Sequence, residues 1–225
     1  MLLTCTVLRP DPPAAVVPWE PVGATWWQAG RSSDGRSRVP DPDGRVRSVL
    51  AIWRHEDDAL TGPPVTAGVE RWHAVLDVRS SHGDVVMAGG ARPFDGLVAG
   101  PAPAGAVALV TVAGSSADEG REREFARRFQ HVGRDLARAP GHLLTLVHSP
   151  TGTTSIGPVV VLSVWRDLAA GLHWAYTGSR PHTAAVARQA DARLVGVSAS
   201  LRCAVVSSRG SLGGLDHGAA DSVRG

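Results

Sequence analysis

The residues best placed to do chemistry stand together in WAYTGSRPHTAA, residues 174–185. Trp174, Tyr176, Arg180 and His182 fall within nine positions of one another. Thr-Gly-Ser reads as a turn, and Pro181, with its fixed φ, suits the first turn of a helix. His182 would then meet the positive end of the helix dipole, which disfavours imidazolium and favours the neutral, ligating ring. Two readings stay open at this point: a surface histidine beside a convenient helix start, or a ligand aimed into a pocket. The sequence has rivals among its nine histidines. His173 precedes Trp174, while His55 and His82 end strands. His142 and His148 flank another strand at even spacing, which puts them on one side of a sheet.

Other chemistries find little support. There is no His-X-Glu, His-Glu-X-X-His or Cys/His cluster for zinc or a non-haem metal triad. GSLGG (210–214) carries no Lys and opens no helix, so it is not a phosphate loop. No Gly-X-Ser-X-Gly elbow marks a serine hydrolase. Arg180 and Arg209 are the guanidinium groups that could grip a carboxylate in a bidentate way; the plainer reading of each is a solvated arginine.

The elements that must position these residues come from a chain of 225 residues, 43% hydrophobic and 20% charged. That is enough for one large domain or two small ones. No apolar run approaches the ~20 residues of a membrane span. The opening MLLTCTVLRPDPP lacks a basic leader region, so a soluble, cytoplasmic protein is expected. Net charge is only +2 and no dense basic block occurs, which argues against nucleic acid. Cys5 and Cys203 sit in apolar alternating runs and read as small buried hydrophobes.

Internal similarity is the strongest organising signal. SVLAIWRHEDDA (48–59) resembles VVLSVWRDLAAG (160–171), and VLDVRSSHGDVVMAGG (75–90) resembles CAVVSSRGSLGG (203–214). Between the Trp and the Ser-Ser-X-Gly glycine the second copy carries 15 more residues than the first. Those extra residues hold the helix of His182. Eight strands are expected, near 2–9, 23–29, 46–53, 70–78, 105–113, 142–149, 157–165 and 198–206. A helix is expected over 117–139, with Ser116 and Glu119 forming a capping box. Its apolar stripe is Phe125, Phe129, Val132 and Leu136. Shorter helices should follow Asp167 and start at Pro181.

The second half therefore reads strand–helix–strand–strand–helix–strand, the ferredoxin-like order. The first half keeps the strands but has poor helices. The fold expected is α+β, with duplicated ferredoxin-like halves (1–98 and 105–214) closing antiparallel sheets into an α+β barrel that leaves no free edge. Residues 31–45 read as an exposed loop, 88–105 as a connector and 215–225 as a flexible tail. The barrel interior would be a pocket walled by sheet. Trp26, Trp53, Trp72 and Trp165, all on strands, could line it and stack on a flat ligand.

These motifs carry a resemblance. VVVLSVWRD, AYTGSRPHTAAV and VVSSRGSLGG together resemble the spheroidene monooxygenase family, of the dimeric α+β barrel superfamily. The matching positions are Trp165 and Asp167, Pro181 and His182, and Ser208, Gly210 and Gly213. Arg166, the lengthened turn at Ser179-Arg180, and Leu212 depart from the family pattern and put the substrate in question more than the fold. The resemblance implies oxygen insertion with haem b, held non-covalently because no Cys-X-X-Cys-His is present. His182 becomes the axial-ligand candidate for the iron, with Arg180, Trp165, Trp174 and Arg209 around the cofactor. Partners would be a small-molecule substrate, with an electron donor and a second copy of the chain as further possibilities. Two other functions fit the same pattern: a cofactor-free monooxygenase of this superfamily, or a barrel that only binds a small molecule.

Overall fold

The computed structural model describes residues 1–10, 20–33, 43, 45–61, 69–87, 90–113, 118–150, 158–194, 198–212 and 215–216. The first half contributes β1 (Leu2–Pro10), β2 (Trp26–Ser32), β3 (Arg47–Trp53), the one-and-a-half-turn helix α1 (Glu56–Thr61) and β4 (Val69–His82). The second contributes β5 (Val107–Ala113), α2 (Glu119–Leu136), β6 (His142–Pro150) and β7 (Val159–Trp165). It continues with α3 (Leu168–His173), a π-helical turn (Trp174–Gly178), α4 (Arg180–Ala192), β8 (Ser198–Leu212) and β9 (Leu215–Asp216).

All eight expected strands form. The order is β4-β1-β3-β2-β6-β7-β5-β8, and β4 also pairs with β8, so the sheet closes within one chain. Every pairing is antiparallel. Each half, taken alone, has the ferredoxin-like order, fourth strand beside first, then third, then second. The two seams between halves are unequal. β4 and β8 pair along ten positions with two register shifts, whereas β2 and β6 share three, Gly30 to Ser32 against His148 to Pro150.

The barrel interior is filled, not hollow. Alternate residues of the strands interdigitate there: Leu3, Cys5 and Val7, Leu50 and Ile52, Trp72, Ala74 and Leu76, Val110 and Val112, Leu144 and Leu146, Val160 and Leu162, Leu201 and Cys203. Val85 and Met87, just after β4, and Phe94, from the connector between halves, join the same cluster. The expectation of an interior pocket is corrected: bulky aliphatic side chains pack a small barrel solid. Of the four strand tryptophans, Trp72 and Trp26 belong to this interior cluster, whereas Trp53 and Trp165 pack on the outside. Burial in this apolar core pushes the Cys5 thiol up to about 12, which keeps it inert.

Smaller corrections have local causes. β2 starts at Trp26 rather than near 23, because Gly23 (φ +92°) occupies a turn that a side chain would strain. Arg31 and Ser32, expected in a loop, extend β2; residues 34–42 and 44 of that loop lie outside the described residues. α2 is capped by Asp118, whose carboxylate accepts from the Arg121 N–H. Ser116, the expected cap, lies outside the described residues, as does 217–225 of the expected tail. His142 and His148 do not share a face. A bulge between His142 and Leu144 turns His142 outward, edge-on to Trp165, and leaves His148 inside.

Candidate functional site

The helices of the second half do not simply seal the outer face of β5, β6 and β7. Between that face and α2 and α4 lies a chamber of about 210 Å³. Its floor is Thr111, Thr145, Val161 and Ser163, whose neighbours along the strands point into the barrel core. Its roof is the expected apolar stripe of α2, Phe125, Phe129, Val132 and Leu136. Phe125 and Phe129 stack with centroids 6.0 Å apart. Trp174, His182, Val186 and Gln189 add to the wall, and the charged Arg128 is among its lining residues. The stripe read as core from its 3.6-residue period therefore lines a cavity. Periodicity reports which face is turned inward, not whether the space beneath is full.

His182 is placed by three consecutive local devices. Asp167 caps α3, accepting from the Ala170 N–H at 2.7 Å. The chain then widens into a π turn, with the Ser179 N–H bonded to the Trp174 carbonyl. Such turns are frequent at functional sites. Ser179, fully buried, caps α4 by accepting from the His182 N–H at 3.1 Å. The π turn also brings the Ala175 carbonyl to 2.7 Å from His182 Nδ1. Nδ1 must carry the proton there, because a carbonyl can only accept. Nε2 is left with its lone pair and no hydrogen-bond partner among the described residues. Burial lowers the His182 pKa, while the Ala175 carbonyl and the Asp135 carboxylate oppose that shift.

Around this imidazole the aromatic residues form a short column. Trp174 lies 4.8 Å from His182 and 5.5 Å from Trp165, centroid to centroid. Asp135 of α2 fixes Trp174 by accepting from its indole N–H at 2.8 Å. The helices of the roof are tied together by Glu124. It accepts from Arg128 on its own helix and from Arg188 of α4, both at 3.0 Å from Nε. Arg188, then Arg128, hold the Glu124 carboxyl down to about 2.

The expected site residues thus separate. His182 and Trp174 line the chamber. Trp165 stands behind them, fully buried, its indole N–H donated to Ser163 Oγ at 3.0 Å. Arg180 is exposed and outside the chamber wall. Arg209 is far from it: on β8, it donates to the carbonyls of Leu60 and Thr61 at the end of α1. A cation at a helix C-terminus is a structural fit. Asp135 and Glu124 escaped the sequence reading. Nothing in the spacing of α2 marks Asp135 as facing an indole 39 residues away.

Two more histidines are buried. His73, on the outer face of β4 beneath α1, bonds Thr6 Oγ1 at 2.7 Å and the Ala59 carbonyl at 3.2 Å. Desolvation lowers it to about 4. His148, inside the barrel at the short seam, meets Ser48 Oγ at 2.7 Å through Nδ1. Its Nε2 and the nearby Ser32 Oγ have no partner among the described residues. Among the described residues no group of three or more His, Cys, Asp or Glu could hold a metal ion, and no helix is long and apolar enough to cross a membrane.

Residues 108–188, which span β5 through most of α4, match the family model described as antibiotic biosynthesis monooxygenase. No curated protein matches the chain. Among solved structures, an aldoxime dehydratase is similar at TM-score 0.54 and 13% identity, over 91% of this chain and 80% of that one. A second, aldoxime dehydratase OxdRE in complex with butyraldoxime, is similar at TM-score 0.53 and 12% identity, over 91% and 79%. At such identities these likenesses concern the fold. SnoaB from Streptomyces nogalater, a cofactor-independent oxygenase, is 23% identical over 44% of this chain and 89% of its own, at TM-score 0.30. The likeness to spheroidene monooxygenases rests on the short motifs alone.

Proposed function

We propose that the chain is a monooxygenase that oxidises a small hydroxylated aromatic in the chamber beneath α2 and α4, with His182 Nε2 as proton acceptor. One observation carries the reading: a neutral imidazole, its tautomer set by the Ala175 carbonyl, stands in the wall of an apolar cavity. The match of residues 108–188 to the antibiotic biosynthesis monooxygenase model supports the reaction class. The volume supports the substrate class. An engineered cavity of about 150 Å³ holds benzene, so 210 Å³ suits one or two fused rings stacked between phenylalanine and tryptophan.

The chemistry needs no added reductant. Nε2 takes the proton of a ring hydroxyl, giving an electron-rich arenolate. The arenolate passes one electron to dioxygen, the superoxide formed recombines at the para carbon, and the imidazolium returns its proton to the resulting peroxide. The hydroperoxide then loses water and leaves a quinone. For 1-naphthol the balance is naphthol plus O₂ to 1,4-naphthoquinone plus H₂O. The largely apolar lining limits the water around the arenolate, and the base supplies a factor of about 10²–10⁴.

Haem b is the second reading, and one observation favours it. An imidazole whose Nδ1–H is held by a carbonyl presents the lone pair that iron needs. The space does not fit. The chamber, at about 210 Å³, is below the ~300–1,000 Å³ of pockets that bury drug-sized ligands, and a porphyrin is at least drug-sized. Arg180 and Arg209 are not in its wall to receive propionates, and Arg128, which is, already donates to Glu124 through two nitrogens. The proposed reaction therefore proceeds without haem, and with it without an electron donor.

Purified protein and 1-naphthol in air, with nothing else added, should consume one O₂ per quinone formed. His182→Gln should slow this by about 10²–10⁴-fold. No uptake by the unaltered protein overturns the proposal. So does a saturable Soret shift on haemin titration that His182→Ala abolishes, which would put iron on this histidine.

A further inference from the structure

We propose that Asp135 is a positioning residue for His182: it holds the Trp174 indole against the imidazole and keeps a carboxylate beside a ring that otherwise faces neutral groups. The inference deepens the proposed function and rests on it for the role of His182. The geometry is a chain of three side chains from three elements. Asp135 Oδ2, on α2, accepts from Trp174 Nε1 at 2.8 Å. The Trp174 ring, on the π turn, lies 4.8 Å from the His182 ring at 41°. His182, on α4, is fixed at its far nitrogen by Ala175. The indole is the sole hydrogen-bond partner of the Asp135 carboxylate among the described residues, so this carboxylate is not spent on an arginine.

Among the described residues, the charged groups near His182 can be assigned. From α2 come Asp135 and Arg128, and Arg128 is committed to Glu124 through two nitrogens. From the sheet come only the neutral Thr111, Thr145 and Ser163. The His173 imidazole, ahead of the π turn, is bonded to Thr177. Arg180, on α4 itself, is exposed to water, which screens it. A buried imidazole at a helix N-terminus is a poor base on both counts. Asp135 is the charged group that offsets this, adding to the larger upward pull of the Ala175 carbonyl against burial. A general base works best when its pKa is close to the operating pH, so the carboxylate tunes the base as well as aligning its wall.

The test is a pH titration of the His182 ring by ¹H–¹⁵N NMR, with His182→Gln to assign the signal. Asp135→Asn keeps an oxygen for the indole and removes the charge. The His182 midpoint should move to lower pH, and the acid limb of 1-naphthol turnover should move with it. Asp135→Glu should return both towards the original values. Trp174→Phe, which keeps a ring but frees the carboxylate, should broaden the His182 signal and lower its midpoint. An unchanged midpoint in Asp135→Asn, with the near-ultraviolet circular dichroism retained, overturns the inference. The titration needs no substrate, so it is decided separately from the reaction; failure of the reaction itself shows as turnover indifferent to His182→Gln.

Discussion

Nδ1 of His182 lies 2.7 Å from the Ala175 carbonyl oxygen, across the π turn that separates α3 from α4. That contact decides which nitrogen of the imidazole is available. An α-helical turn in place of the π turn would carry one residue fewer and set a different carbonyl opposite the ring. Residues 174–185 thus work as a unit: the turn fixes the tautomer, Ser179 and Pro181 start the helix, and Trp174 walls the chamber.

The first prediction concerns pH and rate. Burial holds the His182 pKa below the ordinary histidine value of about 6.5. A base works only when unprotonated, so kcat/KM should be flat through neutrality and fall as pH drops through the lowered pKa. The break should lie below pH 6.5 and vanish in His182→Gln, whose residual rate should be pH-independent over the same range. A rate profile of the two proteins between pH 4 and 8 measures this.

The second concerns stability in acid. Burial lowers His148 to about 3, whereas the unfolded chain binds its proton near 6.5. Between those values the unfolded state holds more protons, so stability is complete above pH 6.5 and declines as pH falls towards 3. At pH 4.5 the loss from this group should be about 3 kcal/mol, and His73, lowered to about 4, adds to it. Urea unfolding at pH 7 and 4.5 should show a smaller difference for His148→Gln, whose amide can still meet Ser48 but does not titrate.

The third concerns the short seam. Gly30 pairs with Ser48 on one side and Pro150 on the other. A Cβ there would come within 2.5 Å of His148 Cε1 and of the Ser149 carbonyl oxygen. Gly30→Ala should therefore cost about 1–3 kcal/mol as an overpacked site. With β2 and β6 sharing so few pairs, amide exchange along β6 should accelerate more than along β5. A seam that tolerates the methyl group without loss of thermal stability would contradict the packing described.

Much of the scaffold was legible because its signals are local. The paired Trp-Arg and Ser-Ser-X-Gly motifs disclose the duplication, and β-branched runs between Gly and Pro disclose the strands. Asp167 and Pro181 mark helix starts by residue type alone. The working face was not legible. β5 (VALVTVA) and β7 (VVVLSVW) are apolar on nearly every residue, since one side meets the barrel core and the other a helix layer, so alternation cannot say which side is which. The interior was accordingly expected to hold the pocket, and the chamber lies outside. A single bulged residue, Leu143, turned His142 away from His148. Arg209 looked like a cofactor clamp from its motif, yet the carbonyls it meets at Leu60 and Thr61 lie 149 and 148 residues away in sequence. Contacts of that span leave no trace in spacing.

The most direct measurement of the central claim is where a substrate-like ring binds. Crystals of the protein with 1-naphthol, kept free of oxygen to prevent turnover, should show the rings between Phe129 and Trp174. The hydroxyl should lie within about 2.6–3.2 Å of His182 Nε2. Density for the ligand inside the barrel, or only on the surface with the chamber beneath α2 and α4 empty, would contradict the account.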